Sequence, residues 1–143
     1  MHRRHVRPNM EDKTDLKFRH VLYPAGFGIV LVIICGGFLA EFAPPMLLSM
    51  VIAVLVSPLI GKLTKTKIGW DYSFGVAAAC IPNGLLWLGG PSFFNTILPF
   101  FLWTWFSISW SKLNLPPFRY GLWHGYALAF SILPGAMLYS KLF

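Results

Sequence analysis

Residues 21–40 read VLYPAGFGIVLVIICGGFLA, residues 41–45 read EFAPP, and residues 46–61 read MLLSMVIAVLVSPLIG. The whole stretch carries one charged residue, Glu41. Crossing the hydrocarbon of a bilayer takes about 20 apolar residues, because a helix rises ~1.5 Å per residue through ~30 Å. Two runs of that size around a Glu-Phe-Ala-Pro-Pro break read as a transmembrane hairpin. Three more apolar runs follow, at residues 70–89, 93–111 and 120–139. The fold class expected is all-α, a polytopic transmembrane bundle of five helices near residues 22–40, 46–61, 70–89, 93–111 and 120–139. A basic tail, residues 1–20, precedes them. A four-helix variant would fuse or bury the fourth run.

Composition agrees with lipid as the main solvent. The 143 residues are 56% hydrophobic, 17% aromatic and 12% charged, where soluble domains average about 25% charged. The net charge of +7 would suggest nucleic acid on a soluble protein. Here the cations lie outside the apolar runs, so they read as orientation signals and no nucleic-acid partner is expected.

The positive-inside rule tests the layout. Arg3, Arg4, Arg7, Lys13, Lys17 and Arg19 precede the first run, Lys62, Lys65 and Lys67 follow the second, and Lys112 and Arg119 follow the fourth. With five crossings, eleven of the twelve Lys and Arg residues fall on one side and Lys141 alone on the other. The N-terminus is then cytoplasmic. Short loops and small size point to a bacterial inner membrane. Cleavage as a signal peptide is not expected, since the −3 positions before Ala40 and Ala43 are Phe38 and Glu41. Met10 offers a second start, which would make residues 1–9 an upstream extension; the alternative is a flexible tail.

Small residues recur every fourth position, the spacing that lets membrane helices approach closely. Gly28, Gly36 and Ala40 form one stripe; Gly121, Gly125 and Ala129 form a second; Ala127, Ser131 and Gly135 a third. Two stripes on the last run suggest burial among neighbours. Pro82-Asn83-Gly84 predicts a bent or broken third helix and a candidate binding point, and Pro134-Gly135 a second kink. In the fourth run, Trp103, Phe106 and Trp110 share a helical face, expected to serve packing and interfacial anchoring.

Ionisable groups inside membranes are functional candidates. Asp71 and His124 open the third and fifth runs at the same side, as a candidate polar pair. Ser57, His124 and Asp71 would make a triad only on paper. No nucleophile elbow, phosphate loop or metal-helix motif is present. The spacing of His2, His5 and His20 fits no metal template. Cys35 and Cys80 stand alone in apolar runs and read as small buried hydrophobes. No catalytic residue, cofactor or metal is expected. The function expected is a non-catalytic membrane protein acting through helix contacts. It would be an accessory subunit or an immunity-type inhibitor, with the bilayer and another membrane protein, or a second copy, as partners. A small oligomeric transporter or channel with kinked helices is the alternative.

Overall fold

The computed structural model describes residues 11–41, 44–90 and 92–143. His2, His5, Met10 and the extension question lie outside the described residues. The described chain is all-helical, without strands. Its elements are α1 (Glu11–Phe38), α2 (Pro45–Leu55), α3 (Ser57–Leu63), α4 (Trp70–Leu86) with a 3-10 turn at Trp87–Gly89, α5 (Phe93–Trp110), α6 (Pro117–Phe130) and α7 (Ile132–Leu142).

Several boundaries differ from the sequence reading. α1 already includes residues 11–20 of the basic tail, so Arg19 and His20 ride on the helix. The second run breaks at Val56 into α2 and α3, which are bent by 65°. Pro58 supplies the cause, since it has no N–H for the carbonyl of Val54 four residues earlier. The last run breaks at Ser131, where Pro134 leaves the Phe130 carbonyl without its helical donor. Pro82 behaves otherwise: α4 runs unbroken through it. The carbonyl it leaves without a donor is that of Ala78, an exposed residue.

By length and composition, Phe18–Phe38 is apolar enough to cross a membrane, and the bent pair α2–α3 makes a second such stretch if it is one span. On that measure one or two crossings are supported, not five.

The core is organised by the last run, and its two stripes meet different helices. A Cβ placed on Gly121 would strike the backbone carbonyl of Tyr72; one on Gly125 would lie 2.7 Å from the Ala79 Cβ and 2.9 Å from the Val76 carbonyl. A Cβ on Gly75 would strike the Phe118 carbonyl. Hence α4 and α6 pack backbone to backbone and in parallel, Tyr72 opposite Gly121 and Val76 opposite Gly125. The second stripe meets α1. Gly28 abuts Ser131, a Cβ on Gly135 would come 3.0 Å from that of Val32, and one on Gly36 would come 3.2 Å from the Tyr139 ring. These pairs also ascend together, so α1 runs parallel to α6–α7. Ala129 is buried in the same core, with Met50, Val76, Leu128 and Ile132.

The aromatic face of α5 is filled by α6: Trp103 stacks on Phe130 at 4.5 Å between centroids, and Phe106 meets Tyr126 at 5.8 Å. Asn95 holds the turn before α5. Its side-chain oxygen accepts the Ser92 N–H at 2.7 Å, and its amide donates to the carbonyls of Leu86 and Gly90.

Candidate functional site

Three parallel helices converge on a buried imidazole. His124, on α6, has no exposed surface, and neither has Tyr72 on α4; His20 on α1 is 5% exposed. His124 Nδ1 lies 2.9 Å from the Tyr72 hydroxyl, and His124 Nε2 lies 3.0 Å from His20 Nδ1. Both ring nitrogens of His124 are therefore engaged. A neutral imidazole has one donor and one acceptor. With His124 neutral, the chain runs in one direction: Tyr72 donates to His124 and His124 to His20, or each step is reversed. The rings of His20 and Tyr120 stack at 4.9 Å, and Trp123 closes the side.

Local geometry explains why these residues meet. The close approach of α4 and α6 at Gly75, Gly121 and Gly125 leaves no room for side chains between the backbones. Tyr72 and His124 sit at the edge of that seam. His20 reaches them because α1 is already helical in the basic tail.

The site opens towards a cavity of about 380 Å³, lined by His20, Lys65, Thr66, Lys67, Asn114 and Tyr120 among others. Three segments remote in sequence thus meet at one end: the start of α1, the α3–α4 loop and the α5–α6 loop. These are the three basic segments of the sequence. Towards the opposite end, the core continues as Met50, Ala53, Leu128 and Ile132.

The sequence candidates fall as follows. Asp71 is exposed, and the partners of His124 are Tyr72 and His20, so the Asp71–His124 pair is not formed. Neighbours on a helix point about 100° apart, so Asp71 faces out where Tyr72 faces in. The paper triad dissolves too, because the Ser57 hydroxyl donates to Ser73 at 2.8 Å. Pro82 is exposed, while Asn83 and Gly84 are buried. Gly84 packs on Met50 and Leu47, and the Asn83 amide nitrogen has no hydrogen-bond partner among the described residues. Cys35 and Cys80 are free and buried; the Cys80 thiol donates to the Gly125 carbonyl at 3.6 Å. Gly28, Gly36, Gly121, Gly125, Ser131 and Gly135 are spent on contacts inside the chain. Among the described residues, no three His, Cys, Asp or Glu side chains gather as a metal site.

Sequence reasoning missed His20, which read as tail, and Tyr72, the neighbour of Asp71 on the third run. The only signal available was their helical phase relative to the glycine stripes. Compared with protein-family models, with curated proteins and with solved structures, the chain matches none.

Proposed function

We propose that the chain is an integral membrane protein of five crossings, basic end in the cytoplasm. It acts without chemistry of its own, by contact with a second membrane protein along α5, as an accessory subunit or inhibitor. Three observations support the membrane part. Residues 72–111 contain no charged side chain, yet Phe74, Ile81, Leu85, Leu88 and Phe94 among them are exposed, and an uncharged stretch with large apolar side chains turned outward is what a membrane or protein contact requires. The odd-numbered runs, in α1, α4 and α6–α7, are mutually parallel, as an up-down path requires. The basic segments meet at one end.

The outer face of α5 carries the contact reading. Of its 18 residues only Asn95 and Pro99 are buried. Phe101, Trp105 and Ile108, spaced for one face, are 59%, 67% and 72% exposed. The glycine stripes, by contrast, are used up within the chain. Aromatic anchors of this kind carry about 2 kcal/mol or more each at protein interfaces. Replacing Phe101, Trp105 and Ile108 together by alanine should therefore reduce a co-purifying membrane protein at least about tenfold, with the level of the chain itself unchanged. Extraction from native membranes in mild detergent, followed by mass spectrometry, measures this. A parent chain that elutes with no partner or second copy, or a triple variant that retains every partner, overturns it.

The alternative, a small oligomeric transporter or channel, draws on Asn83. A buried amide without a partner costs about 1–3 kcal/mol, and this one sits beside Pro82 within α4. Under that reading Asn83→Ala stops flux in proteoliposomes. A parent chain that conducts nothing, or a variant with unchanged flux, removes it.

A further inference from the structure

The cavity at the basic end is lined by cationic and polar residues. Lys65 and Lys67 line it from the α3–α4 loop, and Thr66, Asn114 and Tyr120 add polar groups. Lysine offers donors and no acceptor. Among the described residues, none that lines the cavity is acidic.

The backbone at Lys65 adds an independent reason. α3 ends in a Schellman turn: the Thr66 N–H donates to the Gly61 carbonyl at 2.8 Å, and the Lys65 N–H donates to the Lys62 carbonyl at 3.1 Å. Such a turn puts its central residue in the left-handed region, which glycine occupies without strain. Lys65 stands there with φ 54°, the one described non-glycine residue with positive φ. Glycine would close the turn at lower cost. What lysine adds is a side chain, and Lys65 is one of the residues that line the cavity.

The level of the cavity narrows the ligand. Trp70, 82% exposed, opens the helix after the loop. Arg119 lies 5.9 Å over the Trp110 ring at the next one. Tryptophan and arginine at helix ends mark the headgroup zone of a bilayer.

We propose that this cavity binds a phosphate group, held by Lys65 and Lys67, as borne by an anionic phospholipid headgroup or a soluble phosphate compound. The lipid source rests on the membrane reading above; the phosphate chemistry does not.

The experiment uses the full chain in detergent, with the thermal unfolding midpoint as the readout. One arm adds phosphatidylglycerol against phosphatidylcholine in mixed micelles; the other adds inorganic phosphate against chloride at equal ionic strength. A saturable upward shift is expected with the anionic lipid, or with inorganic phosphate if the source is soluble. Lys65→Gly should keep the fold, because glycine suits the turn, yet weaken apparent binding about fivefold. Lys65→Gly with Lys67→Ala should weaken it tenfold or more, at about a fivefold step for each lysine removed. Lys141→Ala, at the other end, should leave it unchanged.

No saturable shift in either arm, or equal shifts for parent and double variant, overturns the proposal. Carbonate washing of membranes separates the two readings. A chain that stays in the pellet but binds neither ligand loses only this site. A chain that leaves with the supernatant and still binds phosphate loses only the membrane reading.

Discussion

Gly121→Leu is expected to leave no folded protein. The position has no space for a side chain, because even a single Cβ would collide with the backbone carbonyl of Tyr72. Backbone cannot swing aside as a side-chain tip can, so α4 and α6 must separate. Ordinary overpacking costs about 1–3 kcal/mol. Prying apart these two helices also breaks the Tyr72–His124 bond and uncovers Val76 and Cys80. Gly121→Ala should therefore cost about 3 kcal/mol or more, in the diagnostic tail of single substitutions.

The contrasting position is Gly26, on α1, around which nothing lies within 4 Å. Gly26→Ala should be neutral or stabilise the chain by up to about 1 kcal/mol, as alanine suits a helix interior better than glycine. Size-exclusion profiles after heating in detergent read both. A Gly121→Leu chain that melts with Gly26→Ala would contradict the packing described. The same geometry bears on partner tests. Gly125→Leu would lose a partner by losing the fold, which is why the contact experiment belongs on α5.

His124→Leu should be the most damaging polar deletion. It leaves the Tyr72 hydroxyl and His20 Nδ1 facing an apolar side chain, and each unpaired buried group costs about 1–3 kcal/mol. Tyr72→Phe alone should cost about 1–3 kcal/mol, since it strands only His124 Nδ1. The two should not add. Once His124 is gone, the Tyr72 hydroxyl is a liability, and removing it should recover stability. Tyr72→Phe is thus expected to destabilise the parent and to relieve His124→Leu. A double-mutant cycle on the melting midpoints gives the coupling, on the order of 1–3 kcal/mol for groups in one network. Additive losses would show that the ring and the hydroxyl do not depend on one another.

Much of this architecture is local, and local chemistry is written in residue order. The apolar runs, the breaks at Pro44-Pro45 and around Gly89-Gly90, and the basic segments declare a helical protein with one cationic end. Glu41 reads as a loop residue and is exposed in the turn after α1. Even the stripes on the last run announce close neighbours, because small side chains every fourth residue serve little else.

Proline was a poorer guide. Pro58 and Pro134 break their helices two and three residues upstream, at Val56 and Ser131, while Pro82 breaks nothing. The freed carbonyl is fixed by the sequence; whether the chain bends there depends on what packs beside it.

Tertiary structure alone decided which helix each stripe meets and which side chains share the buried site. Gly121 and Gly125 face α4, whereas Ser131 and Gly135 face α1. No local signal sets the register between helices so far apart in the chain. That register is why His124 finds Tyr72 and His20 rather than Asp71. One residue along a helix turns a side chain by about 100°, enough to exchange a solvent-facing carboxylate for a buried phenol.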